Sequence, residues 1–211
     1  MWLRASFVTT CLVLVLAVGA AQATPLDITL QPFPDIYSAF IDVTYTVGGP
    51  DNFRASGFAF ELDDDGVGPW LAIDSGTFDI IATITGTGAF TDGSLIIGGT
   101  QGSNGSPLLA GALTAFGFPN AGGDPLEFLF SVTGGSLAGL YGGLGAITGV
   151  ILTDTGFGGS FTEAFDNLHS WAAVADTAPD PARIPEPSTI LLVLAGASTA
   201  YLRKRMTAGK P

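Results

Sequence analysis

The stretch Glu61-Leu62-Asp63-Asp64-Asp65-Gly66 places side-chain oxygens at its first, third and fifth positions and a glycine at its sixth, as the first half of a calcium-binding loop does. Glu61, Asp63 and Asp65 are therefore candidate ligands of a weak calcium site, with Asp74 as a further donor. The second half departs from the pattern. Position twelve is Ala72, where a bidentate glutamate belongs, and Pro69 interrupts the loop. The stretch reads first as a tight acidic turn between two strands, and calcium is the one cofactor it raises.

Covalent chemistry is harder to assemble. A Ser or Thr nucleophile needs a neighbouring base, and the one histidine, His169, stands near the end of the acidic body with Asp166 three residues before it. No Gly-x-Ser-x-Gly elbow occurs, and GGLGAITG at 142–149 lacks dinucleotide spacing, so it reads as a strand connection. Carboxylates are plentiful enough for glycoside hydrolysis, but nothing in their order selects a facing pair. The body is read as non-enzymatic.

Charge narrows the partners. Between residues 24 and 182 eighteen Asp and Glu face a single base, Arg54, a formal charge of about −17. Such a surface repels nucleic acid and anionic lipid and favours divalent cations and cationic partners. The only cysteine, Cys11, lies near the N-terminus, so the body contains neither a disulfide framework nor a thiolate metal site.

The elements that must position these side chains are strands. In IYSAFIDVTYTVGG, residues 37, 39, 41, 43, 45 and 47 fall on one side and mostly polar residues on the other, the alternation of a half-buried strand. Comparable segments follow at 53–62, 77–85, 95–98, 108–118, 126–132, 147–153 and, more briefly, 159–165. Gly, Asp, Asn and Pro clusters separate them, and Asp92-Gly93 is a two-residue hairpin signal. No body segment sustains helical periodicity. The expectation is an all-β domain over 24–171, an antiparallel β-sandwich of jelly-roll kind. A proline-containing linker is expected over 172–183.

Both ends of the chain carry addressing information. Arg4, the apolar run 7–18 and the small residues Ala21 and Ala23 form a signal peptide over 1–23, expected to be helical and cut by signal peptidase after Ala23. At the other end Pro185-Glu186-Pro187 is an extended, donor-poor peptide, because each proline fixes its own φ and pushes the preceding residue out of the helical region. Ser188 can cap a helix. An apolar run over 189–202 then leads to the basic cluster Arg203, Lys204 and Arg205, which stays on the cytoplasmic side when the body is exported. Its 14 residues rise about 21 Å as a helix, short of a ~30 Å hydrocarbon core, so it is a marginal anchor in the inner membrane.

Pro185-Glu186-Pro187-Ser188-Thr189, the short hydrophobic helix and the basic cluster, in that order over 184–211, resemble the PEP-CTERM sorting signal of Gram-negative bacteria that make exopolysaccharide. Residues 206–211 extend past the point where many such tails stop. The resemblance implies that an exosortase recognises the tail, cleaves at or near the motif and passes the body outward, with the inner membrane a transient stop. It also implies a place at the cell surface or in the extracellular matrix, associated with exopolysaccharide or biofilm. The role expected for the body is structural, adhesive or glycan-binding, with Trp70 and Trp171 as aromatics able to stack on sugar rings. The alternative is a secreted hydrolase acting on matrix polysaccharide.

Overall fold

A computed structural model describes residues 25–119, 123–168 and 173–179, and among these there are strands and turns but no helix. The strands are β1 (Asp35–Tyr45), β2 (Phe53–Asp63), β3 (Leu71–Ala72), β4 (Asp74–Ile84), β5 (Phe90–Thr100), β6 (Leu109–Gly117), β7 (Leu126–Gly134), β8 (Ile147–Thr153), β9 (Phe165–Asp166) and β10 (Ala173–Pro179). The signal segment 1–23, the sorting motif and helix of 184–211, His169 and Trp171 lie outside the described residues.

Eight strands form a ring in the order β1-β2-β4-β5-β6-β7-β8-β10, every neighbour antiparallel. β10 closes it, pairing Thr177 with Ile36 of β1 and Ala175 with Leu152 of β8. The architecture is therefore a closed up-and-down barrel, and the expected jelly-roll sandwich is corrected. The cause lies in residues 173–179, which belong to the segment read as a linker. Its inward residues Ala173 and Ala175 are small, so the strand lacks a bulky apolar stripe, yet both are fully buried and supply the eighth stave. Without that stave the other seven can only be imagined as an open or folded-over sheet.

Two local expectations also change. Asp92-Gly93 lies inside β5, and the β4–β5 turn is at 86–87, held by Gly88 N–H donating to Thr85 O at 2.9 Å and Thr85 N–H donating to Ala89 O at 2.7 Å. Gly93 serves packing instead: a Cβ there would stand 2.8 Å from Leu113 Cδ2. The strand expected at 159–165 is mostly loop, and only Phe165–Asp166 pairs, against β1.

Alternation along the staves fills the lumen with Ile41, Val43, Phe53, Phe78, Ile80, Leu95, Phe128, Phe130 and Val150, all without solvent exposure. Each such side chain contributes about 1.5–3 kcal/mol by leaving water. Aromatic residues cork both ends. At one, Tyr45 O–H donates to Phe161 O at 2.9 Å while the Phe161 ring lies tilted 4.5 Å from Phe157. At the other, Tyr141 O–H donates to Thr177 O at 2.9 Å.

A strap before β1 crosses the outside. Leu126 and Phe128 point inward, so Glu127 between them points outward, and its carboxylate accepts from the backbone N–H groups of Leu26 (2.6 Å), Asp27 (3.1 Å) and Ile28 (3.1 Å). Gln31 N–H continues the strap by donating to Pro179 O at 3.0 Å. Residues 126–130 are consequently buried on both faces of the wall. Replacing Glu127 by alanine removes a charged acceptor worth about 1.5 kcal/mol or more. Hydrogen exchange at the amides of residues 26–28 is expected to accelerate about tenfold or more, while amides of β4 and β5 keep their protection. Unchanged exchange at 26–28 would mean that apolar contact alone holds the strap.

Candidate functional site

On β2 the small residues face the lumen and the large ones face water. Ala55 and Ala59 are buried, while Phe58 is 55% exposed and Phe60 38% exposed. Period two counted from lumen-facing Phe53 sets this facing, and two β-bulges interrupt the β1–β2 ladder beside it. Tyr37 pairs with Glu61 and Ser38 with Ala59, which leaves Phe60 as an extra residue on β2. Ala39 pairs with Phe58 and Asp42 with Ser56, which leaves Phe40 and Ile41 opposite Gly57 alone. Bulges re-aim side chains: the first leaves Phe60 and Glu61 both facing out, and the second turns Phe40 outward.

Phe40 is held there against its backbone preference. Its φ is +52°, a left-handed conformation that side-chain-bearing residues seldom adopt within a strand, and the ring is 53% exposed. Gly57 makes room opposite, since a Cβ would lie 2.7 Å from Ile41 Cγ1 and 2.8 Å from Ile41 Cα. Buried Asn167 pins the strand beyond the bulge: its Oδ1 accepts from Val43 N–H at 2.6 Å and its Nδ2 donates to Ile41 O at 3.0 Å. The next residue, Leu168, lines a hollow together with Phe40.

The result is an aromatic groove on the outer wall. Phe40 meets Phe60 edge-on at 5.7 Å, and Phe60 lies 6.3 Å from Phe58. Phe40 separates two hollows of similar size. One, about 360 Å³, is lined by Tyr37, Phe60, Glu61 and Val174; the other, about 340 Å³, by Asp42, Phe58 and Leu168. Each combines aromatic surface with one carboxylate. The neighbouring outer face of β2 and β4 contains the single basic side chain among the described residues, Arg54, bound to Asp79 at 3.4 Å, and Ser56 Oγ also donates to Asp79.

The sequence-derived calcium candidates divide between two places. Carboxylates of Asp63, Asp64 and Asp65 converge within 4.8 Å of one another, whereas Glu61 lines the groove instead. Asp63 Oδ1 accepts from Gly66 N–H at 2.7 Å, and Asp65 Oδ1 accepts from Val67 N–H at 2.9 Å and Gly68 N–H at 3.0 Å. Those amide bonds hold the Asp65 carboxyl below its usual range. The carboxylates are the acceptors that fold the acidic turn. Trp70 is 43% exposed but does not line the groove.

A different carboxyl is perturbed upward. Asp35, opposite Asp63 across the β1–β2 ladder, is pushed up to about 6 by burial first and then by the charge of Asp176, with Asp63 adding to it and a hydrogen bond from the Thr177 backbone opposing it. Asp35 Oδ1 is buried without a hydrogen-bond partner. Burial also raises Asp176, and it raises the Tyr141 hydroxyl, which the charge of Asp35 pushes further the same way. Nothing in the sequence marked Asp35, because its neighbours come from β2 and β10.

Two outcomes follow from these placements. The folded chain binds the Asp35 proton more tightly than the unfolded one, so Asp35 lowers stability progressively as pH rises from 3.8 to about 6, and the penalty is constant above that window. Asp35→Asn is expected to melt higher than the parent above pH 6 and to lose that advantage below 3.8, in paired thermal melts. A constant difference across the window would exclude the effect. Phe40→Gly relieves a left-handed backbone worth about 1–2 kcal/mol. Its melting temperature is expected to hold or rise, and a fall of several degrees would show that the ring is a packing element.

Comparison with protein-family models, with curated proteins and with solved structures finds no match, so the reading of the groove rests on its own geometry.

Proposed function

We propose that this chain is an exported protein whose tail is cut by an exosortase and whose body works at the cell surface or in the extracellular matrix, touching exopolysaccharide in an adhesive or glycan-binding role. The observation that carries the reading is the order of three features: Pro185-Glu186-Pro187, the apolar run 189–202, and Arg203-Lys204-Arg205. The extended Pro185-Glu186-Pro187 peptide suits a protease cleft, the short apolar run suits membrane depth, and the basic cluster opposes passage to the outside. An acidic barrel with an aromatic groove on its outer wall supports contact with a polymer.

Export and processing are tested at the C-terminus. Mass spectrometry of the protein recovered outside the inner membrane is expected to find an end near residues 185–187 and no peptide from 189–211. Replacing Pro185, Glu186 and Pro187 by alanine lets the helix extend backward and removes the recognition charge, so the full-length chain is expected to accumulate in the inner membrane. A mature protein that keeps Arg203, Lys204 and Arg205 would refute the sorting reading and leave a plain anchor.

A further inference from the structure

Resting on the reading of the body as a polymer-contacting protein, we infer that the groove around Phe40 takes a polysaccharide bearing free amino groups, its sugar rings lying on Phe40, Phe58 and Phe60 and its ammonium groups meeting Asp42 and Glu61. Charge selects the sign of the ligand. The body bears about −17 over residues 24–182, and its one base, Arg54, is already bound to Asp79 at 3.4 Å. An aromatic face beside a carboxylate attracts an ammonium group twice over, through the ring quadrupole and through opposite charge. An anionic polymer meets repulsion at the same surface.

Repetition selects a chain over a small ion. Phe40 is shared by two hollows of about 360 and 340 Å³, and each contributes one carboxylate, Glu61 in the first and Asp42 in the second. A lone cation is served by one of them. A polymer that repeats the same unit meets both.

Closure of the barrel selects sugar over peptide. Each of the eight staves is paired on both sides around the ring, and the two strands with a free side, β3 and β9, are two residues long, so an extended peptide finds no edge of useful length on which to add a strand and gain main-chain hydrogen bonds. Recognition falls to ring faces and carboxylates, which match the apolar C–H faces and amino groups of an amino sugar. The left-handed backbone at Phe40, φ +52°, keeps that ring in water where it can be covered.

The test is calorimetric titration of the full-length chain with a glucosamine oligomer, its fully N-acetylated counterpart and a lysine oligomer of equal charge, in mildly acidic buffer. The glucosamine oligomer is expected to bind about tenfold or more tightly than the acetylated one, ~1.4 kcal/mol. Asp42→Asn with Glu61→Gln should erase that preference, while Asp92→Asn with Glu163→Gln, the same loss of charge elsewhere, should keep it. Phe40→Gly should weaken both sugars. Equal binding of the two sugars would overturn the amino-group selectivity and leave glycan contact standing. Absence of binding to either sugar would overturn both. A lysine oligomer bound at least as tightly as glucosamine would assign the groove to basic peptides and overturn the inference, as would equal effects of the two double variants.

Discussion

The pairing of β10 with β8 on one side and β1 on the other is what makes this chain a barrel. Seven antiparallel staves end in two unpaired edges, and each edge is an invitation to aggregate. The eighth removes both at once. With no cysteine in the body to staple it, the chain is held by this continuous ladder and by the side chains inside it. Closure also fixes the shape of everything on the wall, because no stave can shift register without breaking its neighbours' alternation.

A ring of eight leaves a lumen that side chains just fill. Here the ring of Phe128 sits 4.9 Å from Phe116, 5.4 Å from Phe53 and 6.1 Å from Phe130, and aromatic residues cap both ends. Glycines admit the tightest approaches: at Gly76 a Cβ would overlap the Ala59 carbonyl. A filled interior moves recognition to the outer wall. On that wall the groove on β1 and β2 brings together three exposed phenylalanines, Phe40, Phe58 and Phe60.

Strand alternation was legible wherever bulky residues marked it, and β1, β2, β4, β7 and β8 lie within a few residues of where the sequence places them. The failures share a cause: small residues. Ala173 and Ala175 face the lumen without a bulky signature, so β10 reads as a linker and the ring does not close. Gly93 suggests a turn but is needed for close packing against Leu113. On β2, the alternation Phe58-Ala59-Phe60 invites placing the phenylalanines inside, yet the phase set by lumen-facing Phe53 and Ala55 puts Ala59 inside and both rings outside. Glu61 was singled out for its oxygen as a calcium ligand, but it lies beside aromatic rings in the groove and not within the cluster of Asp63, Asp64 and Asp65.

β1 is where the unusual features gather, and its neighbours explain why. It is paired with β2 and β10, touched at its end by β9, and gripped at Ile41 and Val43 by Asn167. A strand held from so many directions can retain a residue in an unfavoured conformation, since relaxing Phe40 would break ladder contacts on both flanks. The same over-determination keeps Asp35 beside Asp63 and Asp176 despite the mutual repulsion of their charges. Strain and like charge both lower stability, and both survive because ring closure supplies stability that these local features do not. A less constrained strand would turn Phe40 inward and separate the carboxylates. The groove is thus located by the mechanics of closure: it lies on the strand to which β10 joins the rest of the wall.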